Sequence, residues 1–119
     1  MKSKAVSKSR FESYHVTEYQ YYIRASQAAG IKAVLHCRMR KDKKGVTVNF
    51  LDAVDKLPDS KKTGDNTFVM FYFYADLQAI IDMLRNEHPV YFYYDPEVQN
   101  GMHLGTFDEP VGEGDPSHW

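Results

Sequence analysis

The residues of this sequence best suited to chemistry are the cationic side chains between positions 31 and 44. A first group falls on alternate positions and would share one face of a β-strand. A second group follows at once, in a segment with the composition of a turn. The first group is Lys32, His36, Arg38 and Arg40, and the second is Lys41, Lys43 and Lys44. Because all of them except the histidine carry a permanent positive charge, together they could bind successive phosphates of a nucleic acid.

Two tyrosines of the later segment VYFYY offer a second kind of chemistry. Tyr91 and Tyr93 alternate with apolar neighbours and would project from one face of a strand. Exposed rings stack on unpaired bases and contribute roughly 1 to 3 kcal/mol per base in proteins that bind single strands. The alternative is structural: a solvated strand face and a lysine-rich turn that protects the hairpin from aggregation through its edge.

Catalytic and metal-binding patterns are weak. The five histidines have no metal-ligand spacing, and His36 and Cys37 would point to opposite faces of one strand. Cys37 falls on the apolar face, where a thiol is more often a core residue than a nucleophile. Four aspartates of residues 52 to 65 accompany Lys61 and Lys62, but metal-dependent nuclease sites usually draw their acids from rigid strand ends. We therefore expect no enzymatic activity, no metal and no cofactor.

The charges are unevenly distributed along the chain. Residues 1 to 62 contain fourteen Lys or Arg and six Asp or Glu, whereas residues 63 to 119 contain one and ten, so the net charge is only −1. A basic half favours a polyanionic partner, and an acidic half favours a basic partner or masking of the basic half.

Residues 108 to 119, DEPVGEGDPSHW, have the composition of a disordered acidic tail. With its terminal tryptophan this tail resembles the partner-recruiting tip of bacterial single-strand-binding proteins. The resemblance implies contacts to another protein through Asp108, Glu109, Glu113, Asp115 and Trp119. The alternatives are a solvating tail without a partner and a tail that covers the basic hairpin until a polyanion displaces it.

Length and composition indicate one soluble domain. The chain has 119 residues, of which 43% are hydrophobic, 14% aromatic and 26% charged, which is enough material for one core. The basic start is not followed by the apolar run of a secretory signal, and no stretch approaches the roughly 18 apolar residues of a membrane span. Since the single cysteine also favours a reducing compartment, we expect a cytoplasmic protein without a membrane partner.

A first helix is predicted over residues 18 to 29. Thr17 would be its N-cap, Gln20 would complete a capping box, and Gly30 would end it. A second helix is predicted after Asp76, with apolar residues at helical spacing, and ends before Pro89. The predicted strands are residues 31 to 40, 46 to 51, 67 to 74, 90 to 94 and 102 to 107. The first two strands would form a hairpin, the third would be central, and residues 52 to 66 would form a long loop.

These elements predict a small α+β domain over residues 17 to 107, between a flexible basic segment, 1 to 16, and the disordered tail. Their order is that of the partly open five-stranded barrel that binds oligonucleotides or oligosaccharides, with its helix between the third and fourth strands. A competing layout is carried by KAVLHCRMRKDKKGVTVNF and TFVMFYFYADLQAIIDMLRN, in which a basic hairpin precedes a strand that runs into an amphipathic helix. These segments resemble the helix-backed antiparallel sheet of whirly-type and related single-strand binders, in a likeness that covers about half of the chain.

Two functions remain open at this point. The first is a module that binds single-stranded nucleic acid through the basic hairpin and the tyrosines. The second is a protein interaction or regulatory domain without nucleic acid, acting as a homo-oligomer through its aromatic sheet. The segments TFVMFYFY and VYFYY hold more aromatic surface than one small core requires, which favours a homodimer in either case.

Overall fold

Two β-sheets packed face to face form this molecule, in a computed structural model that describes residues 11 to 28 and 30 to 106. Within the described residues, 53% lie in strands and 17% in helical segments, so the fold is mostly β. The strands are β1 (Glu12–His15), β2 (Glu18–Ala28), β3 (Ile31–Met39), β4 (Lys44–Leu51), β5 (Lys61–Lys62), β6 (Thr67–Phe73), β7 (Val90–Tyr94) and β8 (Met102–Thr106). The helix α1 spans Leu77–Asn86.

The larger sheet has five strands in the order β2-β3-β4-β6-β5, and the smaller has three in the order β1-β7-β8. All neighbouring strands are antiparallel except β4 and β6, which are parallel. The chain passes from the smaller to the larger sheet at two residues: the Val16 amide donates to the Val90 carbonyl, and the Thr17 amide donates to the Arg38 carbonyl. This crossing ties the sheets together at one corner.

The core lies between the inner faces of the two sheets. The ring of Phe68, from the larger sheet, lies 4.8 Å from that of Phe92 and 5.1 Å from that of Tyr94, both from the smaller sheet. Helix α1 contributes Leu77, Ile80 and Ile81 to the same cluster. Among the described residues no polar or charged side chain is fully buried. Burial of apolar area is therefore the main source of stability.

The helix predicted over residues 18 to 29 is wrong, because this segment forms strand β2. The Thr17 hydroxyl, expected to cap a helix, instead donates to the Arg38 carbonyl at 3.0 Å and accepts from the Arg40 amide at 3.1 Å. Gly30, with a φ of 79°, makes the turn between β2 and β3 rather than ending a helix. Tertiary pairing with β3 therefore overrides the local helix signal.

The α+β fold class is also wrong in both of its predicted forms. The chain forms neither a closed barrel nor one helix-backed antiparallel sheet, because β1, β7 and β8 make a second sheet. Strand β4, rather than β6, is the middle strand of the larger sheet. Strands β4 and β6 pair in parallel across the connection of residues 52 to 66, so the larger sheet is not purely antiparallel.

The other predicted elements are confirmed within one or two residues: the hairpin of β3 and β4, strands β6, β7 and β8, and helix α1. The sequence reading missed β1, which lies within the segment expected to be flexible, and the two-residue β5 within the predicted loop. The rest of that basic segment, residues 1 to 10, and the acidic tail lie outside the described residues.

In the described part of the chain, no helix has the length and apolar character needed to cross a membrane.

Replacing Phe68 by Ala should lower the free energy of unfolding by about 3 to 5 kcal/mol, because the ring is 1% exposed and joins the two sheets. Urea unfolding followed by circular dichroism measures the change. Phe73→Ala is the matched control, since this residue of the same strand is 39% exposed. Its replacement should cost less than about 1 kcal/mol. Equal losses in the two variants would contradict a core between the sheets.

Raising the pH should destabilise the fold through Cys37, which is buried on the inner face of β3. Burial raises the pKa of its thiol from 9.0 to about 12. The thiol of the unfolded chain therefore ionises at a pH where the folded thiol is still neutral, so the free energy of unfolding falls as pH rises from about 9 to 12. Urea titrations at several pH values measure this slope.

The Cys37→Ala variant should show a flatter slope over that range. A part of the decline should remain, because burial also raises the pKa of Tyr72 above its ordinary value. Equal slopes in the wild-type chain and the variant would contradict the assignment to Cys37.

Candidate functional site

The outer face of the larger sheet, which is turned away from the core, carries the main concentration of functional groups. Strand β3 places Leu35 and Cys37 inward, so alternation places His36 and Arg38 outward, whereas Lys32 lies where the pairing with β4 is irregular. Paired residues of neighbouring strands project from the same side of a sheet, so the register defines rows on this outer face. Three such rows run across the sheet from β2. They are Glu18, Arg38, Gly45 and Thr67; Gln20, His36, Thr47, Val69 and Lys61; and Tyr22, Val34, Asn49 and Phe71.

The outer face is cationic. Arg38 and Lys61 are exposed. Lys32, near the other end of β3 from Arg38, is half-buried. The one carboxylate in the three rows belongs to Glu18, and it forms an ion pair with the guanidinium of Arg40. Because that carboxylate is already neutralised, the face attracts anions.

A cleft of about 620 Å³ lies on this face, between β2 and the far strands. Its lining includes Gln20, His36, Arg38, Thr47 and Thr67, which offer hydrogen-bond donors and acceptors. Its volume falls within the range of about 300 to 1,000 Å³ found for ligand clefts. The cleft is open to solvent along the sheet, so it suits an extended ligand.

His36 lines the cleft. Its Nδ1 lies 3.2 Å from the Thr47 hydroxyl, which orients the ring. The ring of Tyr22, whose side chain is 44% exposed, lies 6.1 Å from that of His36. Phe71 belongs to the same row of the outer face as Tyr22, three strands away on β6, and it is half-buried. The outer face thus combines aromatic rings with cations.

The remaining predicted cations occupy the tip of the β3–β4 hairpin. Arg40 and Lys41 begin a 3₁₀ turn that ends at Lys43, whose φ is 56°. These three side chains are exposed at one end of the outer face. The structure therefore brings His36 and Arg38 together on the sheet, leaves Lys32 near the other end of β3, and places the tip residues beyond Arg38.

Lys44 is separated from this group. Its Nζ lies 5.2 Å from the centre of the Tyr14 ring and 3.0 Å from the side-chain oxygen of Asn66. The Tyr14 hydroxyl donates to the Glu12 carboxylate. Burial, together with that carboxylate, raises the pKa of Tyr14 above its ordinary value. Lys44 therefore has a structural role between the hairpin and β1.

Tyr91 and Tyr93 lie on the other side of the molecule. They project from the outer face of the smaller sheet, because Phe92 between them is fully buried against the larger sheet. The Tyr93 ring stacks on Phe11 at 5.8 Å and on His103 at 4.7 Å. This aromatic surface comprises Phe11, His15, His88, Tyr91, Tyr93 and His103. The structure thus does not place the two tyrosines beside the cations.

The candidates for catalysis are dispersed or buried. Cys37 is 1% exposed. Asp59, in the loop after β4, accepts from the side-chain amides of Gln99 and Asn100, both at 3.0 Å, and these hydrogen bonds lower its pKa. Within residues 11 to 28 and 30 to 106, no three His, Cys, Asp or Glu side chains gather as metal ligands would. The predicted partner-binding residues of the tail, Asp108, Glu109, Glu113, Asp115 and Trp119, lie outside the described residues.

Sequence reasoning missed Tyr22, Thr47 and Lys61 as members of the outer face. The signal for Tyr22 was present, because Glu18, Gln20 and Tyr22 alternate with Tyr19 and Tyr21. The helix assignment concealed that alternation. Lys61 gave no such signal, since a strand of two residues has no readable period.

Comparison with known proteins adds no assignment to this geometry. No protein-family model matches the chain, and neither the curated proteins nor the solved structures that were searched include a match.

Proposed function

We propose that this chain is a non-enzymatic module that binds single-stranded nucleic acid on the outer face of its larger sheet. The observation that carries the proposal is that one face of the sheet combines exposed cations and aromatic rings with an open cleft lined by His36 and Arg38. A phosphate backbone needs cations along an extended path, and unpaired bases need rings on which to stack.

The roles divide between the two kinds of side chain. Lys32, Arg38 and Lys61 would bind phosphates, and the tip residues Lys41 and Lys43 would extend that path. Tyr22 would stack on a base beside His36, with which it already makes a ring contact. Threonines and amides of the cleft would bind base edges or sugars. A duplex keeps its bases stacked inside, which favours a single strand as the ligand.

The single cysteine of the chain, Cys37, is a free thiol in the core. A chain whose stability uses no disulfide suits a reducing compartment. We place this binding activity in the cytoplasm on that ground.

A second candidate function rests on the aromatic surface of the smaller sheet. Its six rings include Phe11, which is 52% exposed. Exposed aromatic clusters are typical of protein interfaces. In this alternative the chain binds another protein through the smaller sheet and has no affinity for nucleic acid.

Replacing Arg38 by Ala should weaken binding of a fluorescently labelled homopyrimidine strand. It should also reduce the slope of log affinity against log salt by about 0.7, because one phosphate contact is lost. Fluorescence anisotropy at several salt concentrations measures both quantities. Arg85→Ala is the matched control, since Arg85 is an exposed cation of helix α1. Absence of binding by the wild-type chain at low salt would remove the proposed function and leave the protein-binding alternative.

Replacing Tyr22 by Ala should reduce affinity for the same strand by about 1 to 3 kcal/mol, because one stacking platform is lost. The salt slope should stay unchanged, since no charge is removed. Tyr91→Ala distinguishes the two outer faces. A loss with Tyr91→Ala and none with Tyr22→Ala would place the strand on the smaller sheet instead.

A further inference from the structure

Strand β2 is an edge strand of the larger sheet. It is eleven residues long; residues Glu18 to Ile23 pair with β3, and the pairing is irregular between Ile23 and Ala28. No strand of residues 11 to 28 and 30 to 106 pairs with its other side. The outward-pointing amides and carbonyls of such an edge can pair with a further strand, and proteins often protect long edges for this reason.

The middle of this edge is apolar and exposed on both faces of the sheet. Tyr21, Tyr22 and Ile23 are consecutive, and they are 37%, 44% and 53% exposed. Tyr21 and Ile23 lie on the inner face of the sheet, where the other strands are buried, whereas Tyr22 lies on the outer face. The edge therefore leaves uncovered the kind of surface that the rest of the sheet buries.

We infer that the edge of β2 binds the same edge of a second copy of this chain. A two-fold symmetric pair of edges must be antiparallel. A central residue then faces itself, and a residue a given number of positions before the centre faces the residue the same number of positions after the centre in the second copy. With Tyr21 at the centre, Glu18 faces Arg24 of the second copy, and Arg24 faces Glu18 of the second copy. Opposite charges placed directly across two strands stabilise the pair, and the Glu18 carboxylate, which already pairs with Arg40 of its own chain, would then lie between two guanidinium groups. The edge is thus complementary in charge to itself.

The same register also pairs the large side chains. Tyr21 meets Tyr21 of the second copy at the two-fold axis, and Tyr19 meets Ile23 on either side of it. Aromatic and β-branched residues form favourable cross-strand pairs. Apolar groups thus meet on the inner face while the charged pairs lie on the outer face.

The adjacent register with the same hydrogen-bonding pattern lacks this match. With Tyr22 at the centre, Glu18 would face Ser26 and Arg24 would face Gln20, so neither charge would meet its opposite. The charge pattern therefore selects the pairing centred on Tyr21.

Pairing of the two edges would join two five-stranded sheets into one sheet of ten strands. Residues paired across the new interface point to the same side, so the two outer faces become continuous. A single strand of nucleic acid could then cross both cationic faces. This last consequence rests on the proposed function, whereas the dimer does not.

Sedimentation equilibrium of the full chain, without any nucleic acid, tests the dimer. The wild-type chain should be a dimer, and Ile23→Lys should raise the dimer dissociation constant at least about 30-fold, as for a hot-spot residue. Val98→Lys is the matched control, because Val98 is 55% exposed in the turn before β8. It should leave the dimer intact. Circular dichroism checks that both variants fold. A monomeric wild-type chain, or a dimer unaffected by Ile23→Lys, would overturn the inference.

Cysteine cross-linking with oxidised glutathione tests the register. Tyr21→Cys should form a disulfide between two copies, because this residue faces itself across the axis. Ile23→Cys should not, because its two copies would lie four residues apart, beyond the reach of a disulfide. Cys37 stays out of the reaction, since it is buried in the core. Equal cross-linking at both positions would overturn the register centred on Tyr21. A dimer that fails to bind oligonucleotides would refute the proposed function alone.

Discussion

The structure depends on the burial of one face of the hairpin formed by β3 and β4. Leu35, Cys37, Val48 and Phe50 are at most 1% exposed, and alternation forces the side chains between them outward. A slip of one residue would move His36 and Arg38 into the core, where an unpaired charge costs several kcal/mol. The cationic outer face is therefore a direct consequence of how the core is packed.

The parallel pairing of β4 with β6 extends this constraint to the rest of the sheet. Phe68 and Met70 of β6, both almost fully buried, extend the inner face of the hairpin. Val69 and Phe71 of the same strand extend the rows of the outer face. The short strand β5 then adds Lys61 to the outer face. Groups from five strands thus meet on one surface, although they are spread over residues 18 to 71 of the sequence.

Much of the local structure could be predicted, because β3, β4 and α1 have strong periods of two or 3.6 residues that match their burial. The segment after Thr17 gave a wrong prediction, because its residues fit both the period of a strand and that of a helix. Tyr21, Tyr22 and Ala25 lie together on a helix, but Tyr19, Tyr21 and Ile23 alternate equally well in a strand. Pairing with β3 decided between them, since a hydrogen-bonded partner was available to this segment and helix propensity is a weak preference.

The sequence by itself determined the alternation of cations along β3, the amphipathic helix α1, and the presence of aromatic residues beyond what one core requires. Only the tertiary structure decided which groups share a surface. It placed Tyr22 beside His36 and moved Tyr91 and Tyr93 to the opposite side of the sandwich. It also left β2 at an edge. Local periodicity fixes the face on which a side chain lies, but the assembly of faces depends on strand order, which is set by contacts between residues distant in the chain.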